Sequence, residues 1–380
     1  MNTKAFAPEY QGALGSALSV NSSYEDVLSA ALAEQACAAS PLEYARAALA
    51  VAEANRRLGR TDDAERAWRS GYRAAREAGD AGTMAWTLWS GGTLARQRGA
   101  LRLARRLLSA AAELGAAGGD RIARGYALAG LAETGRIQGD YAAVTELHEQ
   151  LLAEAREHGE TRHIVWALEG LAQIRRNTGR LDAALAMFRE AAQIAEEGGD
   201  RRGHAWALRG TADVLSALGD TGPALEKLSR GEAICREMDL ASALAYNRKM
   251  RGNVLYRAGR YEEARAVYTE ARDRFAAIGE PRGAALSRLG LVKCRARLGG
   301  SRAETAAELD VLHAEFDRIG LHYARDGVEK FRAEEGLATT SPYAARVPDQ
   351  RPAAGAAAPA GSPLTARTEG GLSAVTGSQQ

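Results

Sequence analysis

The chain has 380 residues, of which 46% are hydrophobic, 26% charged and only 6% aromatic, with nine prolines. Such a balance fits folded, mainly helical structure. Fifty Lys and Arg against 48 Asp and Glu leave a formal net charge of +2, too small an excess for a chain whose main work is neutralising nucleic-acid phosphates, so no nucleic-acid partner is expected.

From the amino terminus, MNTKAFAPEYQGALGSALSV has no continuous apolar core of signal-peptide length, and no later stretch offers 18 uncharged apolar residues. No membrane partner and a cytoplasmic location follow as expectations. Residues 1–40 read as an N-terminal segment, with a capping helix expected over 24–39. Cys37, Cys235 and Cys294 are far apart, without CxxC or a His at ligand spacing. They suggest neither a disulfide framework nor a zinc site, and read as three buried small hydrophobes.

From residue 41 a fixed period takes over. Glycines interrupt otherwise helical runs at Gly59, Gly99, Gly139, Gly179, Gly219, Gly259 and Gly299, each 40 residues after the last. A second column lies 20 residues out of phase at Gly79, Gly119, Gly159, Gly199 and Gly279, each followed by Asp or Glu. Glycine ends a helix in the left-handed conformation without a Cβ penalty, and the acidic residue after it caps the next helix. The unit is therefore two helices and two turns. Within one unit, Leu168, Leu171, Ala172, Leu181, Ala184, Leu185, Phe188 and Ala191 recur at spacings of three and four, which buries one face of each helix. Small residues recur where the two backbones approach: Gly92, Ala132, Ala172, Ala212 and Gly252 on the first helix, and Ala64, Ala104, Ala184, Ala224 and Ala264 on the second.

The segment GNVLYRAGRYEEARAVYTEA, with Gly252, Gly259, Tyr261, Ala264, Tyr268 and Ala271, resembles the tetratricopeptide repeat (TPR). A period of 40 with Gly-Asp turns resembles the longer variant of Pins-type Leu-Gly-Asn proteins and of the helical regions of some bacterial regulators. The resemblance covers residues 41–320 and implies an all-α solenoid of about seven helical hairpins, a right-handed superhelix. Val144 stands where Ala is expected, Met238-Asp239 replaces one Gly-Asp turn, and the second helix of the last unit, around Glu304 and Glu308, lacks the consensus. Residues 321–338 read as a C-terminal capping helix and 339–380 as a disordered tail, because the tail has too few apolar side chains to offset ordering entropy.

In TPR proteins the first helix of each hairpin lines the concave face. Carried over by resemblance, the inward position at the second residue of the unit is Trp86, Tyr126, Trp166, Trp206, Tyr246 and then Leu286. These rings read either as core between neighbouring helices or as a ladder of ligand contacts. Other inward positions are polar and do not repeat: Thr93, Glu133, Gln173, Asp213, Asn253 and Lys293 in one row, Arg96, Arg136, Arg176, Ser216, Tyr256 and Ala296 in another, with Trp89, Glu169, Arg209 and Lys249 in a third. Arginines on successive repeats suit carboxylate capture. Glu133 with Arg136 and Asp213 with Arg209 also have the spacing of self-contained ion pairs. Trp86, Tyr126, Trp166, Trp206, Tyr246, Arg96, Arg136, Arg176, Arg209, Lys249, Asn253 and Tyr256 are thus the candidate ligand-binding residues.

Enzyme motifs are scarce. There is no GxxxxGK[ST], GxGxxG or GxSxG, and His148-Glu149 fails as a zinc motif because residue 152 is Leu. No cofactor and no metal are expected. The expected function is a non-catalytic scaffold or regulator that holds a protein or peptide partner in its concave groove. The alternative is an enzyme or small-molecule sensor with a pocket inside the solenoid, for which Glu133, Glu169 and Asp213 would be the acid/base candidates.

Overall fold

The computed structural model describes residues 12–18 and 23–337, and all their regular structure is helical. The expected disordered tail, 339–380, lies outside the described residues, as does the start of the N-terminal segment. Two short helices come first, α1 (Gly12–Leu18) and α2 (Tyr24–Ala36).

Seven hairpins then follow with the period of the sequence: α3 (Pro41–Arg57) and α4 (Thr61–Glu77), α5 (Ala81–Gln97) and α6 (Leu101–Ala117), α7 (Arg121–Gln138) and α8 (Tyr141–Glu157), α9 (Thr161–Asn177) and α10 (Leu181–Glu197). The series continues with α11 (Arg201–Leu218) and α12 (Thr221–Glu237), α13 (Ala241–Arg257) and α14 (Tyr261–Ala277), α15 (Pro281–Arg297) and α16 (Arg302–Arg318), and is closed by α17 (His322–Glu335). The last hairpin is one residue out of register: Gly300 is inserted, so α16 starts at Arg302.

The turns work as the glycine columns require. The departure at Met238-Asp239 is absorbed without loss of the turn, because Asp239 itself takes φ 52°, the one positive φ of a non-glycine residue among those described. Asp and Asn tolerate this region better than other side chains. The acidic residues after the glycines divide by length. Asp80, Asp120 and Asp200 accept hydrogen bonds from the backbone N–H of Thr83, Ala123 and Gly203. Glu160 and Glu280 make no such cap; their carboxylates reach His163 and Gln97 instead.

Small residues set the helix spacing. A Cβ at Gly252 on α13 would lie 2.7 Å from the Tyr268 ring of α14 in the same hairpin, and one at Gly210 on α11 2.2 Å from the Phe188 ring of α10 in the preceding hairpin, so these glycines let a bulky side chain lie against a helix backbone both within and between hairpins. Cys235 and Cys294 are buried, but Cys37, just beyond α2, is exposed, which corrects the reading of all three as core residues.

Each odd-numbered helix from α3 to α15 also packs on the next odd-numbered helix, so these seven form the inner wall of the solenoid. The wall winds back onto itself. The Arg202 guanidinium donates at 3.0 Å to the hydroxyl oxygen of Tyr24, 178 residues away, and the Gln97 amide donates to Glu280, 183 residues away, at 2.8 Å. Ile278 lies against Gly59, and Leu101 and Ile137 share an apolar cluster with Ile319, Leu321 and Phe331. Contacts across four to five repeats join one superhelical turn to the next and narrow the concave face.

Candidate ligand-binding site

The concave face holds a partly open cavity of about 260 Å³ between the inner helices α3 to α15. This is close to the lower end of ligand pockets, which run from roughly 300 to 1,000 Å³. Its apolar walls come from the aromatic column. Ring contacts run from Trp86 to Tyr126 (5.0 Å between centroids), Tyr126 to Trp166 (4.8 Å) and Trp166 to Trp206 (6.4 Å). Trp89, one turn from Trp86, meets Tyr126 edge-on at 5.2 Å.

The column is therefore both spacer and wall. Its first member is spacer alone: Trp86 is 0% exposed, its indole N–H donates to Asp120 at 2.9 Å, and it lies outside the cavity lining. Tyr126, Trp166, Trp206 and Tyr246 do line the cavity. Behind them Arg162, 1% exposed, pairs with Asp200 at 2.7 Å while its guanidinium lies 4.9 Å from the Trp166 ring and 5.6 Å from that of Trp206.

Of the polar candidates, Arg96, Arg136 and Arg209 line the cavity, whereas Arg176, Lys249, Asn253 and Tyr256 do not. Arg176 and Lys249 lie beside Asp213. Asp213 pairs with Arg176 at 2.7 Å and Arg257 at 2.8 Å, not with Arg209 as its spacing suggested. Arg209 lies over the Tyr246 ring instead, at 5.7 Å. Asn253 accepts from the Tyr268 hydroxyl at 2.7 Å, and the Tyr256 ring meets Tyr261 at 5.3 Å. Burial lowers the Lys249 ammonium to about 8, against the pull of Asp213.

The three acid/base candidates have three different environments. Burial opposes ionisation of Glu133, but bidentate contact with Arg136 and the nearby Arg96 hold its carboxyl at about 2. Asp213, also buried, is held below its ordinary value by Arg176 and Arg257. Glu169 goes the other way: burial raises its carboxyl to about 8 despite Arg209. Its Oε1 and the Trp166 indole N–H, one helical turn apart, are buried at the cavity with no hydrogen-bond partner among the described residues. No group of acidic, His and Cys residues able to hold a metal occurs among the described residues, and no described helix is long and apolar enough to cross a membrane.

A family profile described as tetratricopeptide repeat matches residues 163–237. A Rap protein complexed with Competence and Sporulation Factor superposes on the chain with a TM-score of 0.56 and 14% identity, over 82% of this chain and 97% of that one. Together with the hairpin geometry, this decides the architecture. The chain is a TPR-like helical-repeat protein. Aspartyl phosphate phosphatase F from Bacillus subtilis gives a TM-score of 0.50 and 13% identity, over 83% of this chain and 85% of that one. No curated protein matches the sequence.

This TPR-like array has cavity residues that the inward-position reading missed. Arg56 continues the Arg96, Arg136 and Arg176 column back by one period of 40 and lines the cavity. Arg202 and Arg282, 80 residues apart, form a second column with Arg162, and both reach the cavity. Periodicity carried a signal for all of them. Arg56 lies in the last turn of α3, one repeat before the first residue of its row, whereas Arg202 and Arg282 lie at the start of α11 and α15, outside the inward positions taken from the family, and their long side chains reach the cavity.

Proposed function

We propose that this protein is a non-catalytic receptor that holds a short peptide segment, two or three residues deep, in the cavity of its superhelix. The observation that carries this reading is the closure itself: contacts such as Tyr24 with Arg202 and Gln97 with Glu280 convert an open groove into a chamber too small for a folded partner. Buried polar atoms without partners, the Glu169 Oε1 and the Trp166 indole N–H, are costly unless a ligand satisfies them. Arginines hold two of the three acid/base candidates, Glu133 and Asp213, as poor bases. The structural relative solved with its factor bound, the Rap protein, supports the reading at the level of fold analogy.

Filling the chamber tests it. Ala129 lines the cavity on α7, so Ala129→Trp adds bulk there without removing a polar contact. In a screen of di- and tripeptides followed by the fluorescence of the cavity tryptophans, some class of peptide is expected to bind wild type and to lose at least 10-fold in affinity against Ala129→Trp. Peptides that bind both proteins equally would place the site elsewhere.

A further inference from the structure

Outside the aromatic walls, the dominant chemistry of the chamber is guanidinium. Seven arginines line it: Arg56, Arg57, Arg96, Arg136, Arg202, Arg209 and Arg282. Their carboxylates are fewer. Arg56 and Arg57 share Glu53, at 2.5 and 3.6 Å, and Arg96 and Arg136 share Glu133, at 3.8 and 2.7 Å.

The other three have no ion pair among the described residues. Arg202 meets the Tyr24 hydroxyl, Arg282 the Tyr246 hydroxyl at 2.7 Å, and Arg209 the face of the Tyr246 ring. Arg202 is 1% exposed and its Nε has no partner. Even with Glu169 and Glu280 both ionised, seven arginines face four carboxylates, an excess of three positive charges. Burying unpaired charge is expensive, and a bound anion in a site of low dielectric recovers the cost.

We infer that the chamber binds an acidic ligand, one carrying two or three carboxylates that serve as counter-ions to Arg202, Arg209 and Arg282. This inference rests on the receptor reading above and adds the ligand's charge. The same carboxylate chemistry is available from an acidic peptide end or from a free polycarboxylate. Planar guanidinium groups pair with either through two parallel hydrogen bonds, while the aromatic walls accept the aliphatic stems between the acid groups.

The probes are N-acetyl-Glu-Glu, citrate, N-acetyl-Ala-Ala-amide and Lys-Lys-amide, titrated into the full chain at low salt, with tryptophan fluorescence and melting temperature as readouts. N-acetyl-Glu-Glu is expected to bind at least 10-fold more tightly than the neutral and basic probes. Its affinity is expected to weaken with salt and to drop about 10-fold or more in Arg209→Gln, with partial recovery in Arg209→Lys. Arg209 makes no ion pair that its loss would break, and Arg282→Gln repeats the test should that variant fail to fold. Citrate binding as tightly as the peptide assigns the site to a free polycarboxylate, and weaker citrate binding assigns it to a peptide end; either outcome supports an acidic ligand. Tighter binding of the neutral or basic probe, lost in Ala129→Trp, would overturn the acidic ligand and leave the receptor reading standing. Binding by none of the four overturns the acidic ligand, and only a blank across the wider peptide screen removes the receptor.

Discussion

The aromatic column predicts a graded response to truncation. Trp86 is 0% exposed and sealed between Trp89 and Tyr126. A fully buried tryptophan removes roughly 200 Å² from water, which at about 25 cal/mol per Å² is about 5 kcal/mol, most of it lost on truncation to Ala. Losing the indole N–H bond to Asp120 adds about 1 kcal/mol. Asp120 keeps its capping bond from Ala123, which limits the further penalty. Trp86→Ala is therefore expected to cost about 4–5 kcal/mol, the upper part of the usual range for such truncations. Trp166 also touches its neighbours, but it faces the chamber. Removing its ring enlarges an existing cavity instead of opening a new one, so little cavity penalty is added, and Trp166→Ala is expected to cost about 2 kcal/mol. Urea unfolding followed by far-ultraviolet circular dichroism measures both, with the slopes compared first because repeat arrays unfold by segments when an interface is weakened. A Trp166→Ala cost within about 0.5 kcal/mol of the Trp86→Ala cost would refute the distinction between spacer and wall.

Two other expectations rest on separate features. Gly252→Ala drives a methyl group to 2.7 Å from the Tyr268 ring and is expected to destabilise by about 1–3 kcal/mol, whereas Gly222, with nothing within 4 Å, is expected to gain up to about 1 kcal/mol as Ala; thermal melts of the two variants check the opposite signs. In pH dependence, the folded chain keeps a proton on Glu169, at about 8, that the unfolded chain releases near 4.5, so this group lowers stability as pH rises from 4.5 to 8, by at most about 1.4 kcal/mol per pH unit. Glu133, held at about 2, acts oppositely: its stabilisation is complete above 4.5 and lost as pH falls toward 2. Melting curves of wild type and Glu169→Gln from pH 5 to 8 should diverge with rising pH, and parallel curves would contradict the burial of that carboxyl.

The hairpins were legible in the sequence because their causes are local. A glycine that must take positive φ, a carboxylate one residue later and a small residue opposite a large one all act within 40 residues, and the repetition of these signals at Gly59 through Gly299 averages out exceptions such as Asp239. The resemblance to the tetratricopeptide repeat implied the inner helix of each pair and most of the rings that line the cavity. The sequence left Trp86 and Trp166 indistinguishable, since both occupy the same repeat position and differ only in how the neighbouring turns cover them. The chamber itself depended on tertiary structure. The small rotation between adjacent hairpins, summed over four to five units, brings Tyr24 to Arg202 and Gln97 to Glu280, and no local pattern specifies that sum. The same closure decides the electrostatics. Arg202, Arg209 and Arg282 look in sequence like ordinary charges on helix surfaces, and only the winding of one superhelical turn against the next gathers them at the cavity, Arg202 buried and the other two half-buried, without enough carboxylates to balance them.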